Sequence, residues 1–192
     1  MPHRGLEAAK TRLAQVLDPG EREALARRLL TRVLGVAREA SDDVVVISPS
    51  EALRPIVEAG GARLAVQRGM GLNDGLEQAR GEAIADGARA LAVLHGDLPN
   101  LSAADIEAFV TAIPTDGGVA IAPDRGGTGT NGLAQSPADA IRFEFGAGSF
   151  ARHLAAAAAA GLEVVAVERP GLAFDLDTPA DLARWLELGD AA

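Results

Sequence analysis

Two aspartates one residue apart, Asp175 and Asp177, lie in FDLDTPADL (174–182), directly behind the apolar run GLAF (171–174). In an extended chain residues two apart point to the same side. Both carboxylates would then face one point beside an apolar interior. Like charges at that distance repel, and a cation between them would resolve the conflict. A third acid, Asp97, lies in HGDLPNL (95–101), at the end of the strand-like run ALAVL. An acid just past the carboxyl end of a parallel strand stands where α/β folds bind ligands. Mg2+ takes a few carboxylates together with water and phosphate oxygens, so Asp97, Asp175 and Asp177 form a candidate metal set. A plainer reading is open for two of them: Asp97 capping its loop, and Asp177 capping the helix that begins TPADL.

Two glycine-bearing stretches could receive an anion. DRGGTGTNG (124–132) follows a strand-like run and packs four glycines, two threonines and an asparagine into nine residues. Backbone N–H groups in such a loop can approach an anion closely, although a hairpin turn would need the same composition. It is neither a P-loop nor a dinucleotide fingerprint. In FGAGSFARH (145–153), Gly146 and Gly148 precede Ser149 and a helix. That arrangement suits a phosphate or carboxylate at a helix N-terminus, and Ser149 could equally be the cap. His95 and His153 stand beside no nucleophile motif, and the chain has no cysteine. Only one of its 18 basic residues is a lysine, Lys10. A compact point charge meeting phosphate is a role that arginine does not fill equally well.

Strand-like and helical runs alternate around these motifs. VVVIS (44–48), RLAV (63–66), ALAVLHGD (90–97), VAIAPD (119–124), GLAQ (132–135) and EVVAV (163–167) read as strands. Helices are expected over 6–17, 18–40, 50–60, 71–87, 102–113, 149–161 and 178–188, with Ser102 and Thr178-Pro179 as start signals. The alternation predicts an α/β fold, a mostly parallel mixed sheet flanked by helices, in a single domain over 1–192. A net charge of −9 with no basic run argues against a nucleic-acid partner. No segment approaches a membrane span, and MPHRGLEAAK carries no signal-peptide core, so a cytoplasmic location is expected.

Taken together, AKTRLA (9–14), GLN (71–73), HGDLP (95–99), DRGGTGTN (124–131), FGAGSFARH (145–153) and FDLDTPADL (174–182) resemble one family. It is the CofC or FbiD family, the phosphoenolpyruvate or 2-phospho-L-lactate guanylyltransferases of coenzyme F-420 biosynthesis. The resemblance implies a Rossmann-like nucleotidyltransferase fold. The implied reaction transfers GMP from GTP to a phosphorylated three-carbon acid and releases pyrophosphate, and 3-phospho-D-glycerate is a third acceptor of that class. By motif, Asp97, Asp175 and Asp177 would hold Mg2+, and Thr130, Gly146 and Ser149 would hold the acceptor. Arg4 and Lys10 would meet the nucleotide phosphates, and Gly71, Leu72 and Asn73 would lie near the nucleoside. A downstream transferase would consume the product, and a homodimer is compatible with the pattern.

The family usually carries a first strand and a VPVKPL-like loop ahead of the AKTRL segment. Here MPHRGL takes that place, so the first strand is expected to be truncated. Two other functions share several of the motifs: a related nucleotidyltransferase acting on the molybdenum cofactor or a sugar phosphate, and a nucleotide-binding module without turnover.

Overall fold

The computed structural model describes residues 10–188. Arg4 and the stretch where a first strand was expected lie outside the described residues. Instead of a continuous helix up to residue 17, the chain makes a 3-10 turn at Thr11–Leu13. Helix α1 (Pro19–Ala40) follows, opened by a capping box in which the Asp18 carboxylate accepts from the Glu21 amide and the Glu21 carboxylate accepts from the Asp18 amide. Its inner face, Ala26, Leu29, Leu30, Val33, Leu34 and Ala37, follows the three-and-four spacing of an amphipathic helix.

Strands β1 (Val45–Ser48) and β2 (Arg63–Val66) pair in parallel, Val45 opposite Arg63, with α2 (Arg54–Ala59) crossing between them. Helix α3 (Leu72–Ala85) leads to β3 (Leu91–Leu94), α4 (Ala103–Thr111), β4 (Gly118–Pro123) and β5 (Thr130–Ser136). Helix α5 (Ser149–Ala159), β6 (Glu163–Ala166), α6 (Pro170–Ala173) and α7 (Pro179–Glu187) complete the chain. The larger sheet has the order β3-β5-β4-β6. Strand β6 runs parallel to β4, whereas β5 runs antiparallel to both of its neighbours. The two sheets share apolar packing: Ile47, Ala65 and Leu76 lie in one buried cluster with Val93, Ile121 and Leu133. No helix among the described residues is long and apolar enough to cross a membrane.

Two details bear on the site. Strand β5 begins at Thr130 rather than at 132, and the register shifts beside it, between Ala122 and Pro123. Irregularities of that kind re-aim strand residues, and both Thr130 and Asn131 are buried there. The short α6 has no counterpart among the expected elements. Its Gly171 lies against the α4 start, where a Cβ would collide with a carboxylate oxygen of Asp105 and come within 2.7 Å of the Asn100 carbonyl oxygen. Gly171→Ala is therefore expected to cost about 2 kcal/mol, the scale of overpacking, and to lower the melting temperature by roughly 5 °C. An unchanged thermal melt would mean that the 100–105 segment yields freely.

Candidate active site

The acid-bearing segments are joined through the backbone. Past β3 the chain turns at Gly96-Asp97, and past α6 it runs extended through Phe174. The Leu176 N–H donates to the Asp97 carbonyl at 3.2 Å. Phe174 and Leu176 are buried in a cluster with Leu13, Leu29 and Trp185. Alternation along an extended chain would turn Asp175 and Asp177 to the opposite side. Asp177 is not the cap of α7: Thr178 is, its hydroxyl accepting from the Asp181 amide at 3.2 Å. Among the readings open for Asp177, the capping one is thereby removed.

Lys10 places a cation against one of the paired acids, Asp177, and against Asp97. Its Nζ donates to Asp97 Oδ2 at 2.6 Å and to Asp177 Oδ1 at 3.0 Å, and its side chain is only 6% exposed. Burial alone would pull this ammonium down, but the attraction of Asp97 and Asp177 outweighs it and raises Lys10 above the ordinary lysine value. A raised lysine stabilises the fold below the ordinary value, and the gain is lost only as pH climbs through the raised one. Lys10 also holds φ at +56°, a left-handed conformation uncommon outside glycine. Asp175 moves upward, first through burial and then through the charges of Asp97 and Asp177, with a long hydrogen bond from Asn131 Nδ2 (3.4 Å) opposing. Arg12 adds a second, largely exposed cation at 3.7 Å from Asp177.

Among the described residues, no three His, Cys, Asp or Glu side chains converge into a ready metal-holding set. The donors nevertheless suit Mg2+ in kind, being hard carboxylate oxygens. Asp175 is raised first by its burial and to a lesser degree by the neighbouring charges of Asp97 and Asp177.

The glycine stretches are organised differently from one another. In the 124–129 turn, Asp124 accepts from the Gly127 amide through its carbonyl and from the Thr128 amide through its carboxylate. Those two N–H groups are spent internally, so this part of the loop is a closed turn. The other stretch is held from outside. Asn73 is committed to it: its Nδ2 donates to the Phe145 carbonyl at 3.1 Å and its Oδ1 accepts from the Phe145 amide at 2.9 Å. Asn73 thus ties the Gly71-Leu72-Asn73 start of α3 to the segment before α5. Arg152 donates to the carbonyls of Glu144 and Ala147. Gly146 and Gly148 take φ of +125° and +69°. Gly148, not Ser149, occupies the cap position, and Ser149 is the first helical residue, 1% exposed.

Three supporting residues carry weight that their motifs did not display. Asn131 Nδ2 donates to the carbonyls of Leu172 (3.0 Å) and Ala173 (3.3 Å), fastening β5 to the segment that delivers Asp175. Asp181 accepts from Thr178 and from Arg125 Nη2 at 2.8 Å. Its burial would raise it, but those hydrogen bonds hold it below the usual carboxylate value. His153 is fully buried beneath Thr130. Only Asp181 has a local signal, since T-P-A-D fits a capping box; the others depend on contacts made by folding.

The chain is similar to proteins of known kind. The family model described as "Guanylyl transferase CofC like" matches residues 1–191. A phosphoenolpyruvate guanylyltransferase of Sphaerobacter thermophilus is 45% identical, the match covering 95% of this chain and 88% of that protein. One from Rubrobacter xylanophilus is 42% identical, covering 96% and 90%. A 3-phospho-D-glycerate guanylyltransferase of Phenylobacterium zucineum is 40% identical, covering 93% and 84%. Among solved structures, a candidate nucleotide-diphospho-sugar transferase from Desulfovibrio desulfuricans G20 superposes with a TM-score of 0.79 at 20% identity, over 100% of this chain and 86% of that one. The CTP complex of CMP:2-keto-3-deoxy-manno-octonic acid synthetase superposes at 0.59 with 15% identity, over 97% and 95%. At those identities the structures show a shared fold.

Proposed function

This chain belongs to the CofC-like guanylyl transferase family, and from that premise we propose that it transfers GMP from GTP to phosphoenolpyruvate. The observation that carries the reading is Lys10 bridging Asp97 and Asp177, with Asp175 near enough to feel both of those charges and Asn131 linking Asp175 to the strand bearing Thr130. Two relatives at 45% and 42% identity act on phosphoenolpyruvate by name. The relative named for 3-phospho-D-glycerate makes that acid, with 2-phospho-L-lactate, the comparison to run. We place the reaction in the cytoplasm and its product with a downstream transferase.

In the proposed mechanism, Asp97, Asp175 and Asp177 would hold Mg2+, which would supply charge neutralisation for the phosphates when bound. Lys10, released from the acids, turns its ammonium to the phosphates and stabilises charge on the leaving pyrophosphate. Thr130, Ser149 and the backbone at Gly146 hold the acceptor, whose phosphate oxygen attacks the α-phosphorus. That oxygen is already a nucleophile, so no side chain needs to take a proton. His153, buried and neutral, is accordingly not a base.

The test is pyrophosphate release from GTP and Mg2+ with each acid offered separately, in the presence of the enzyme that consumes the product. Release with phosphoenolpyruvate alone is expected. Release only with another acid would correct the acceptor, and none with any acid would leave a nucleotide-binding module. Ser149→Ala is further expected to raise the acceptor KM about tenfold, the value of one hydrogen bond to a charged group, with little change in the KM for GTP. The reverse pattern would put Ser149 on the nucleotide.

A further inference from the structure

Both ring nitrogens of His153 are engaged, and one partner can act in only one direction. The Glu144 backbone N–H donates to Nε2 at 3.0 Å. A backbone amide has a proton to give and nothing to accept with at that atom, so Nε2 must present its lone pair. A neutral imidazole carries a single ring proton, which therefore sits on Nδ1. Thr130 Oγ1 is 3.0 Å from Nδ1, so Nδ1–H donates to the hydroxyl and occupies one of its lone pairs. Among the described residues, His153 is the only side-chain partner of that hydroxyl. The hydroxyl proton of Thr130 is left to be given elsewhere.

The surroundings support a ring that is neutral and fixed. His153 is fully buried, and the Phe145 ring meets it edge-on at 5.0 Å between centroids. Phe145 is itself held by both groups of the Asn73 amide. Burial, then the nearby Arg152 charge, pulls His153 down to about 4, so the ring is uncharged at neutral pH. Ser149 lies four residues earlier, on the same buried face of α5.

We propose that His153 is a positioning residue: its Nδ1–H tautomer, imposed by the Glu144 amide, keeps the Thr130 hydroxyl proton from being spent on the ring and directs it as a donor toward the acid group of the acceptor. A hydroxyl with its proton free to donate suits a carboxylate or phosphate oxygen, which can only accept. This inference rests on the reading above that Thr130 and Ser149 hold the acceptor.

Two readouts test it on the full chain. The first is a two-bond 1H–15N correlation spectrum of the uniformly labelled protein at neutral pH, the His153 signals being identified by their loss in His153→Asn. The Nδ1–H tautomer is expected; the Nε2–H form or an imidazolium would overturn the proposal. The second compares two substitutions. His153→Asn keeps an N–H donor near the Nδ1 position, whereas His153→Gln keeps an acceptor near Nε2 and loses that donor. His153→Gln is expected to raise the acceptor KM about tenfold or more with the KM for GTP unchanged, and His153→Asn to raise it only a few-fold. Equal effects of the two, or a parallel rise in both KM values, would overturn the proposal by reducing His153 to packing. Thermal melts of each variant separate poor folding from poor binding. Wild-type protein inactive with all three acids, while Nδ1–H holds, would remove the acceptor reading and with it the identity of what Thr130 meets. An Nε2–H signal in an active enzyme would remove the tautomer proposal alone.

Discussion

Asp175→Asn is expected to lower turnover by about 10²–10³-fold, the scale of losing one group that stabilises transition-state charge, while leaving the melting temperature equal or higher. The two halves have one cause. Asp175 is raised by burial and by the charges of Asp97 and Asp177. A carboxyl whose folded pKa lies above its unfolded value costs stability once pH exceeds that raised value, and the cost fades as pH falls through it. Asparagine removes the charge, and its own Oδ1 can still accept from Asn131 Nδ2, a contact of 3.4 Å in the wild type. A protein that gains stability on losing a charged group holds that group for something other than folding. Steady-state rates at saturating Mg2+ and GTP, alongside thermal melts, check both halves. Near-normal turnover would take Asp175 out of the catalytic cluster, and a marked loss of stability would make it structural.

The second large effect concerns Lys10. Lys10→Met leaves Asp97 and Asp177 facing each other without the ammonium that now bridges them. Removing one partner of a fully buried ion pair costs about 3–5 kcal/mol. The Asp177 side chain is 41% exposed, so solvent screens part of that loss and about 2 kcal/mol is expected. Activity should fall with it, since the same ammonium is assigned to the leaving phosphates. The diagnostic part is the response to Mg2+. An ion that binds the folded state alone stabilises it by mass action, and in the variant it meets no competing ammonium. Saturating Mg2+ should therefore raise the melting temperature of Lys10→Met more than that of the wild type, narrowing the gap between them. Equal stabilisation of both would show that the lysine and the ion do not share a position.

The acids were legible because their signal is local. An alternation of two in an extended segment, and an aspartate at a strand end, say which side chains face together without knowledge of the rest of the fold. Most elements were legible for the same reason, from periodicity bounded by glycine and proline. The partner of the acids was not. Lys10 stands 87 residues from Asp97 and 167 from Asp177 in sequence, and its rarity marked it as special without saying what it touches. The antiparallel course of β5 was hidden because a glycine-rich turn after a strand suits a hairpin and an anion loop equally. Asp124 decides between them by taking two of the turn's amides. The roles of Asn131 and His153 were invisible for a related reason: Asn131 is fixed by the carbonyls of Leu172 and Ala173, and His153 by the Glu144 amide and the Thr130 hydroxyl, contacts that only folding makes.

Two helix caps are used twice. At the start of α4, Asp105 closes the cap with Ser102 and also accepts from Arg169 Nε at 2.9 Å. At the start of α7, Asp181 closes the cap with Thr178 and also accepts from Arg125. The chain between these anchors is the stretch that carries Asp175 and Asp177. Fraying at either helix start would thus release an arginine clasp as well as a turn of helix, and the slack would be felt at the acids. Breathing motions of this stretch are bound to those of two helices and the 124–129 turn, so its local opening free energy is set by that larger cooperative unit and not by its own few contacts. The segment has no regular structure of its own over residues 174–177, yet its stiffness is borrowed from its neighbours, and the spacing of its two carboxylates should stay sharp on the timescale on which an ordinary loop would wander.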